Sequence, residues 1–299
     1  MSSRSLLNAT EKHLARGRLP IVRESHLYPT EASVELEELK LDGTPKVIGS
    51  CIRAAFYRYK GGFAGQPYSP YTLWIFEMGK IVEKMLIENW KQMGVWIDNS
   101  VRFYNAEYNI SGELDAILCD EVTGEPYIVE VKSFAGYEAT KTIVGNKSVT
   151  GGPKDAHLLQ TIIYLYLHRE TFKQAKIIYL DKTSLSNNAE FTLTLTVEGQ
   201  NTYVVINGIV NRKFAVEQIF ERYRKLQVYL ANDELPPRDF ELTYSDTRVE
   251  QEWETGNISK SKYEKWQKGK QNIGDWNCGY CKYKEECWGI KVEEETNEE

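Results

Sequence analysis

Two carboxylates and one amine fall on adjoining predicted strands near the middle of the chain. Two runs rich in β-branched and apolar residues flank a polar turn that contains glycine and proline, which predicts a β-hairpin. Asp115 lies on its first strand, and Glu130 and Lys132 lie two residues apart on the second. Because side chains alternate along a strand, Glu130 and Lys132 share one face, and Val129 and Val131 are expected to face the core.

The types of these three polar residues indicate the chemistry. Asp115 and Glu130 offer hard oxygen ligands that suit a divalent cation such as Mg²⁺ or Mn²⁺. Lys132 would position or help deprotonate a water, or neutralise negative charge that develops on a phosphate. The alternative is a solvated hairpin face with an ordinary glutamate and lysine, because an aspartate followed at some distance by Glu-x-Lys is common by chance.

A third carboxylate, Glu83, lies in a predicted helix from Tyr71 to Met93. Apolar residues recur there at three- and four-residue spacing, so Glu83 lies on or beside a largely apolar face. A carboxylate in such a place is costly unless it is paired or bound to a cation. Glu83 is therefore a candidate outer metal ligand, and a solvent-facing helix glutamate is the alternative.

A second predicted helix, from Asp155 to Glu170, carries Gln160 and Tyr164 one turn apart on the same face. Gln160 would orient the attacking water or a phosphate oxygen, and Tyr164 would stack a base or bond a phosphate. A helix that merely packs on the sheet is the alternative. His157 precedes Gln160 by three residues, but a lone histidine is more often structural.

The chain has five cysteines and no export signal, which points to metal or thiol chemistry rather than disulfides. Cys278, Cys281 and Cys287 supply three thiolates with no histidine nearby, so the site needs a distant fourth ligand. Cys51 is the best candidate, at the start of a helix predicted to begin near Ser50. Four thiolates suit either a [4Fe–4S] cluster or structural Zn²⁺, and the spacing does not decide. The fifth cysteine, Cys119, is expected to be a buried strand thiol.

Bulk properties set limits on the class of protein. The 299 residues are 41% hydrophobic, which is enough for a sizeable core, and no run of apolar residues is long enough to span a membrane. The net charge of −6 argues against broad nonspecific coating of nucleic acid, although a locally basic groove remains compatible with it. With no signal peptide in the sequence, we expect a cytoplasmic protein.

The motifs together resemble one family. The residues that carry the resemblance are Gly112-Glu113-Leu114-Asp115, Glu130-Val131-Lys132, Gln160 with Tyr164, Gly79 with Glu83, and Cys51, Cys278, Cys281 and Cys287. In this order they resemble the PD-(D/E)xK nucleases, in particular the RecB-like, iron–sulfur-containing branch with its CRISPR-associated and AddB-type exonucleases, some of them phage-encoded. The resemblance covers residues 45 to 290. It departs at Glu83, where the closest relatives usually have a histidine.

The resemblance implies a site and a substrate. Glu83, Asp115, Glu130 and the Val131 carbonyl would hold Mg²⁺ or Mn²⁺, and Lys132, Gln160 and Tyr164 would complete the catalytic set. It favours [4Fe–4S] over Zn²⁺ at the cysteines. The expected substrate is DNA, single-stranded or with free ends, cut by an exonuclease from 5′ to 3′. A helicase, an integrase or another recombination protein is an expected partner.

An alternative function follows from the same resemblance: a non-catalytic iron–sulfur DNA-binding subunit of a larger nuclease–helicase or adaptation complex. The intact Asp115, Glu130 and Lys132 argue against it. Weaker candidates for strand contact are Arg53, Tyr57, Arg58 and Lys154. An ordinary solvated loop explains Lys154 equally well.

The predicted architecture is α/β, a restriction-endonuclease-like core with a mixed central sheet flanked by helices, plus a cysteine cluster that joins the N- and C-terminal segments. The expected parts are an N-terminal segment 1–45, a nuclease core 46–255, a C-terminal iron–sulfur segment 256–290 and a disordered acidic tail 291–299. Outside the elements already given, we expect strands over 95–108, 175–180 and 191–197, a helix over 211–232, a helix or edge strand over 33–41, and a long connection over 133–153.

Overall fold

A computed structural model describes residues 6–16, 26–40, 43–61 and 68–290. The predicted acidic tail at 291–299 lies outside the described residues. The strands are β1 Ser33–Leu39, β2 Pro45–Gly49, β3 Trp96–Asn105, β4 Ile110–Cys119, β5 Pro126–Phe134, β6 Gln174–Asp181, β7 Ala189–Glu198, β8 Asn201–Ile206 and β9 Ile209–Asn211. The helices are α1 Leu6–Arg16, α2 Ile52–Lys60, α3 Pro70–Met93, α4 Tyr137–Ile143, α5 Asp155–Leu167, α6 Val216–Asn232, α7 Asp246–Glu254, α8 Lys260–Gln267, α9 Trp276–Gly279 and α10 Lys284–Trp288.

The central sheet has seven strands in the order β3-β4-β5-β6-β7-β8-β9, and β1 and β2 form a separate hairpin. Only β5 and β6 run parallel within the large sheet, because α4 and α5 lie between them in the chain and return it to the same end. The sheet is therefore mixed, as predicted, and its layout is consistent with a restriction-endonuclease-like core.

The predicted hairpin is β4 and β5, which pair antiparallel. Its turn is fixed by Asp120, whose carboxylate accepts hydrogen bonds from the amides of Val122 and Thr123 at 3.0 and 2.8 Å. Gly124 follows with φ +71°, a left-handed conformation that glycine adopts without strain. This polar turn sets the register that places Asp115 and Glu130 on neighbouring strands.

Helices cover both faces of the sheet. Val129 and Val131 pack on one side with Val82 and Ile87 of α3, as predicted for the core face. Ile128, on the face of Glu130, is also fully buried, in the cluster that contains the apolar residues of α5. The Glu130 face is therefore a second packed interface, as expected for a sheet flanked by helices.

Most predicted elements are present, with shifted ends. The helix predicted to begin near Ser50 is α2; Cys51 is its N-cap residue, and the Asp239 carboxylate accepts the Ile52 N–H at 2.7 Å. The helix predicted over 155–170 is α5, and Lys154 is its N-cap residue. Asp155 occupies the first turn, where its charge complements the helix dipole.

Three further regions differ from the sequence prediction in detail. The segment 33–41, for which helix and strand were both open, forms β1. The long connection at 133–153 contains α4. The helix expected from 211 begins at Val216, because residues 209–211 form β9 at the edge of the sheet.

The N-terminal part is tied to the core by pairing and by charge. β1 pairs with β2, so the predicted boundary at 45/46 falls at the start of a paired strand. Arg222 of α6 is buried and bonds Glu35 of β1 at 2.6 Å and Asp239 at 2.7 Å. Arg222 also donates to the Ser33 hydroxyl at 3.2 Å, so this buried guanidinium is fully engaged.

Candidate active site

The site forms where β4 and β5 stop pairing backbone to backbone. Ala116 faces Val129 in the last register pair at this end of the hairpin. Beyond it, the Val131 N–H donates to the Asp115 carboxylate at 2.8 Å instead of to a strand carbonyl. The side chain of Asp115 therefore bridges to β5 and is fixed beside Glu130 by the sheet itself.

Glu130 is the most enclosed member of the site. Its side chain has no exposed surface, and Lys132 donates to its Oε1 atom. Its other oxygen, Oε2, is buried and has no hydrogen-bond partner. Burial, and secondly the charge of Asp115, raise the pKa of Glu130 to about 8. A buried carboxylate oxygen left without a partner costs free energy that a bound cation would recover.

Lys132 stays protonated in this arrangement. Burial lowers the pKa of its amine, but the charges of Glu130 and Asp115 more than offset burial, so the pKa is raised overall. The Lys132 side chain keeps about a fifth of its surface, 22%, exposed. A protonated amine at the edge of the site supplies positive charge and a hydrogen-bond donor; in this state it is not a base.

Glu83 of α3 belongs to the same electrostatic group. Its side chain is half-buried, and burial together with the charge of Asp115 raises its pKa, while Lys132 lowers it. The pKa of Asp115 is also raised, mainly by burial, with Lys132 acting in the opposite direction. Three carboxylates therefore interact with a single amine, and this excess of acidic groups favours the binding of a cation.

A divalent metal ion fits this donor set. Within the described ranges, no three His, Cys, Asp or Glu side chains are arranged as ready-made metal ligands. Yet Glu83, Asp115 and Glu130 supply the hard oxygens that Mg²⁺ and Mn²⁺ prefer, and Oε2 of Glu130 is the unsatisfied atom among them. These three carboxylates therefore have the oxygen ligands that a divalent metal ion requires.

Gln160 and Tyr164 lie on α5, behind the carboxylates. The Gln160 amide donates to the Tyr164 hydroxyl at 2.8 Å, and both side chains are buried. Burial, and then the charge of Glu130, raise the pKa of Tyr164, so its phenol remains protonated. The Tyr164 ring packs edge-on against Phe103 and has no open face on which a base could stack. These two residues are placed to act by hydrogen bonding.

A residue that sequence reasoning missed, Tyr179, lies next to Lys132 in the parallel pairing of β5 and β6. Its hydroxyl accepts the Lys154 N–H at 3.1 Å and lies 2.8 Å from Nδ1 of His157. Tyr179 is fully buried, so its own O–H needs an acceptor, and Nδ1 of His157 is the one at hand. Burial, with the charges of Lys132 and Lys154, lowers the pKa of His157 to about 3, which keeps the imidazole neutral.

The four cysteines of the predicted cluster meet at one place. Cys51, Cys278, Cys281 and Cys287 line a single small cavity of about 20 Å³, together with Tyr57 and Phe240 among others. Burial raises the pKa of Cys51 to about 11 and that of Cys278 to about 12, so these thiols are protonated as placed. The fold thus brings Cys51 to the C-terminal cysteines, although no metal cluster is shown.

Cys119 lies apart from that cavity. It is half-buried at the end of β4, and its thiol lies 3.5 Å from the Val95 carbonyl oxygen. This placement agrees with the strand thiol that the sequence predicts, although its burial is partial. Cys119 therefore adds no ligand to either site.

Three of the weaker DNA-contact candidates serve to hold α2 in place. Arg53 donates to the Pro236 carbonyl at 2.6 Å, Arg58 pairs with the buried Glu31, and Tyr57 is buried near Tyr283. Lys154, in contrast, is exposed at the start of α5, on the same turn as His157. Among the four, Lys154 is the one whose charge acts on His157, which bonds Tyr179 next to Lys132.

The mixed sheet and the acidic site beside Lys132 are consistent with a metal-dependent nuclease. A family model for the PD-(D/E)XK nuclease superfamily matches residues 49–288, most of the chain, and the chain belongs to this superfamily. A search of curated proteins found none that matches. None of the helices in the described ranges has the length and hydropathy of a membrane span.

Proposed function

We propose that the protein is a divalent-metal-dependent deoxyribonuclease, an exonuclease that hydrolyses phosphodiesters of single-stranded DNA or DNA ends. The observation that carries the proposal is the unpaired Oε2 of Glu130, enclosed between Asp115 and Lys132. A residue kept only for packing would not leave a carboxylate oxygen buried and unpaired at a point where negative charge is already in excess.

Glu83, Asp115, Glu130 and the Val131 carbonyl would hold Mg²⁺ or Mn²⁺, which when bound supplies Lewis-acid polarisation of the phosphate and a more acidic water. Lys132 remains an ammonium and offsets negative charge at the phosphate as the bond to the leaving oxygen breaks. Gln160 and Tyr164, which bond each other on α5, would orient the attacking water or a phosphate oxygen.

The test is digestion of end-labelled single-stranded and duplex DNA with Mg²⁺ or Mn²⁺. Lys132→Ala and Glu130→Ala are expected to lose activity by about 10² to 10³-fold, the cost of removing one group that stabilises developing charge. The matched control is Lys176→Ala, which removes a lysine from the adjacent strand β6 that pairs with the surface residue Glu190. Equal digestion by all four proteins would contradict the catalytic assignment.

The label on each end of the DNA also decides polarity and mode. Release of short products from one labelled end only would support a 5′-to-3′ exonuclease, as the resemblance to the RecB-like, CRISPR-associated and AddB-type enzymes implies. A wild-type protein that binds DNA but never cuts it would favour the alternative, a non-catalytic subunit of a larger nuclease–helicase or adaptation complex. A helicase or integrase partner and a place in the cytoplasm belong to the same proposal.

For the cysteines we propose a structural [4Fe–4S] cluster, with Zn²⁺ as the less favoured occupant. The support is that four thiols from the two ends of the fold line one cavity, in which burial, and then the neighbouring Cys51, raise the pKa of Cys278. A bound metal cluster would stabilise the thiolate forms that burial disfavours. Protein purified without oxygen is expected to be brown, with absorbance near 400 nm, and Cys51→Ser to be colourless. Colourless wild-type protein with stoichiometric zinc would contradict the iron–sulfur assignment.

A further inference from the structure

Helix α3 carries a stripe of apolar side chains that faces solvent. The members of this α3 stripe are Tyr71, Trp74, Met78, Ile81 and Met85, which are 76%, 38%, 41%, 59% and 42% exposed. A soluble protein rarely leaves a contiguous row of large apolar residues in water unless another surface covers it. The row lies on one helix, so it forms a single continuous ridge.

The spacing of the α3 stripe indicates what kind of surface covers it. Its members follow one another at alternating intervals of three and four residues, which is the heptad spacing of a coiled-coil seam. The side of α3 opposite the stripe packs on the sheet through Ile87 and carries Glu83 towards the carboxylate site. Val82, at the margin of the stripe, is buried in the same cluster as Ile87. Among the residues that the structure describes, the stripe stays exposed, and its spacing matches the surface of another helix.

Neighbouring α1 extends the apolar surface without covering it. The indole N–H of Trp74 lies 3.3 Å from the Glu11 carboxylate of α1, which places the two helices side by side. Leu6 and Leu7 of α1 are themselves 82% and 57% exposed. Leu7 lies one turn before Glu11, so α1 adds an exposed apolar side chain on the face that reaches Trp74.

The charges that flank the stripe make it complementary to itself. In an antiparallel pair of α3 helices related by a twofold axis, Met78 opposite Ile81 of the second copy brings Trp74 opposite Met85. Glu77 and Lys84 precede Met78 and Met85 at the heptad position beside the seam and then lie across from each other twice. Glu77 also pairs with Lys80 of its own helix at 2.9 Å, so Lys84 of the second copy would add a second positive charge beside it. A parallel pair would place Ile75, Val82 and Asn89 opposite these charges, without any ion pair.

We propose that the α3 stripe is the contact surface of a homodimer in which α3 packs antiparallel on α3 of a second copy. The interface is isologous, so one patch serves both subunits and closes the assembly at two. Because Glu83 projects from the sheet-facing side of the same helix, each subunit keeps its own carboxylate site. The contact fixes the helix that supplies the third carboxylate to that site.

Sedimentation velocity of the full chain, from about 1 to about 100 μM, tests the proposal. The wild type is expected to shift from monomer to dimer as concentration rises, and Ile81→Glu to raise the dissociation constant by about tenfold or more, because it places a charge in the seam. The matched control is Val122→Glu in the β4–β5 turn, where the native side chain is 94% exposed and lies outside the stripe. That variant is expected to dimerise as the wild type does.

A charge exchange separates the antiparallel pairing from nonspecific association. Glu77→Lys and Lys84→Glu are each expected to weaken the dimer, and the double variant is expected to restore it. A monomeric wild type at the highest concentration, or a dimer that is insensitive to Ile81→Glu, would overturn the proposal. So would a monomer whose DNA affinity falls in Trp74→Ala, because the stripe would then serve nucleic acid. None of these measurements depends on nuclease activity.

Discussion

Two buried clusters of charge in this molecule have opposite character. Around Arg222, every charge is matched: the guanidinium bonds Glu35, Asp239 and the Ser33 hydroxyl, and Asp239 also accepts the Ile52 amide. Around Glu130, by contrast, three carboxylates share one amine and a buried oxygen has no partner.

The balance of charge distinguishes a cluster that stabilises the fold from a cluster that binds a ligand. A buried ion pair in which both charges have partners joins parts of the fold, here α6, β1 and the start of α2. It leaves no charge that a ligand would have to neutralise. A buried site that is short of positive charge is held together by the rest of the fold and stabilises a ligand that brings the missing charge. Removing one residue from each cluster should therefore affect different properties.

The largest effect on stability is expected from Arg222→Met, which keeps the side-chain stem and removes the charge. The buried Asp239 carboxylate loses its cation, and the half-buried Glu35 keeps only Lys225, so the free energy of unfolding should fall by about 3–5 kcal/mol. Arg224→Met is the control, because Arg224 lies on the same helix in an exposed pair with Glu221 and should cost at most about 1 kcal/mol. Urea unfolding measures both, and equal losses would remove the distinction between the clusters.

Glu130→Gln should show the opposite pattern. The amide keeps the shape of the side chain and removes a charge that burial penalises, so the unfolding free energy should stay the same or rise. DNA cleavage should fall by about 10² to 10³-fold, since a carboxylate oxygen for the metal is lost. Glu190→Gln, which changes a surface carboxylate on β7, should leave both properties unchanged. A large loss of stability in Glu130→Gln would mean that the Glu130 cluster is structural.

The pH dependence of stability sharpens the same point. The folded state raises the pKa of Glu130 from 4.5 to about 8, so the folded protein binds a proton that the unfolded chain releases. Stability from this group is fully present below about pH 4.5 and is lost as pH rises towards 8. Each pKa unit corresponds to about 1.4 kcal/mol, so thermal unfolding of the wild type against Glu130→Gln should resolve the difference. Mg²⁺ should reduce the loss, and parallel profiles without metal would contradict the raised pKa.

Local pattern was enough to find the site-bearing hairpin. Period-two alternation placed Glu130 and Lys132 on one face, and the polar turn at Asp120 fixed the two strands around it. The β8–β9 hairpin was missed although its signal is present: Asn207 and Gly208 form the tight turn with φ +48° and +82°, and an Asn-Gly pair between apolar residues favours such a turn.

The features that the local sequence pattern does not predict depend on contacts between residues far apart in the chain. Tyr179 looks like any alternating strand residue, and its place beside Lys132 comes from a parallel crossover through α4 and α5. Arg222 looks like one more charge on a helix, and it becomes buried because Glu35, far away in the chain, pairs with it. In both cases the sequence gives the residue type but not the partner that decides its role.

The smallest predicted effect concerns a neighbour of the site. The charge of Lys132 contributes to lowering the pKa of His157, so Lys132→Met should raise that pKa while burial still keeps it below the ordinary value. The imidazole proton shifts followed by NMR from about pH 3 to about pH 8 measure it, with Lys176→Met as the control that should leave His157 unchanged. If His157 titrated near pH 6.5 in the wild type, the burial of its side chain next to Tyr179 and Lys132 would be contradicted. The assignment of a neutral imidazole near the carboxylates would then also be wrong.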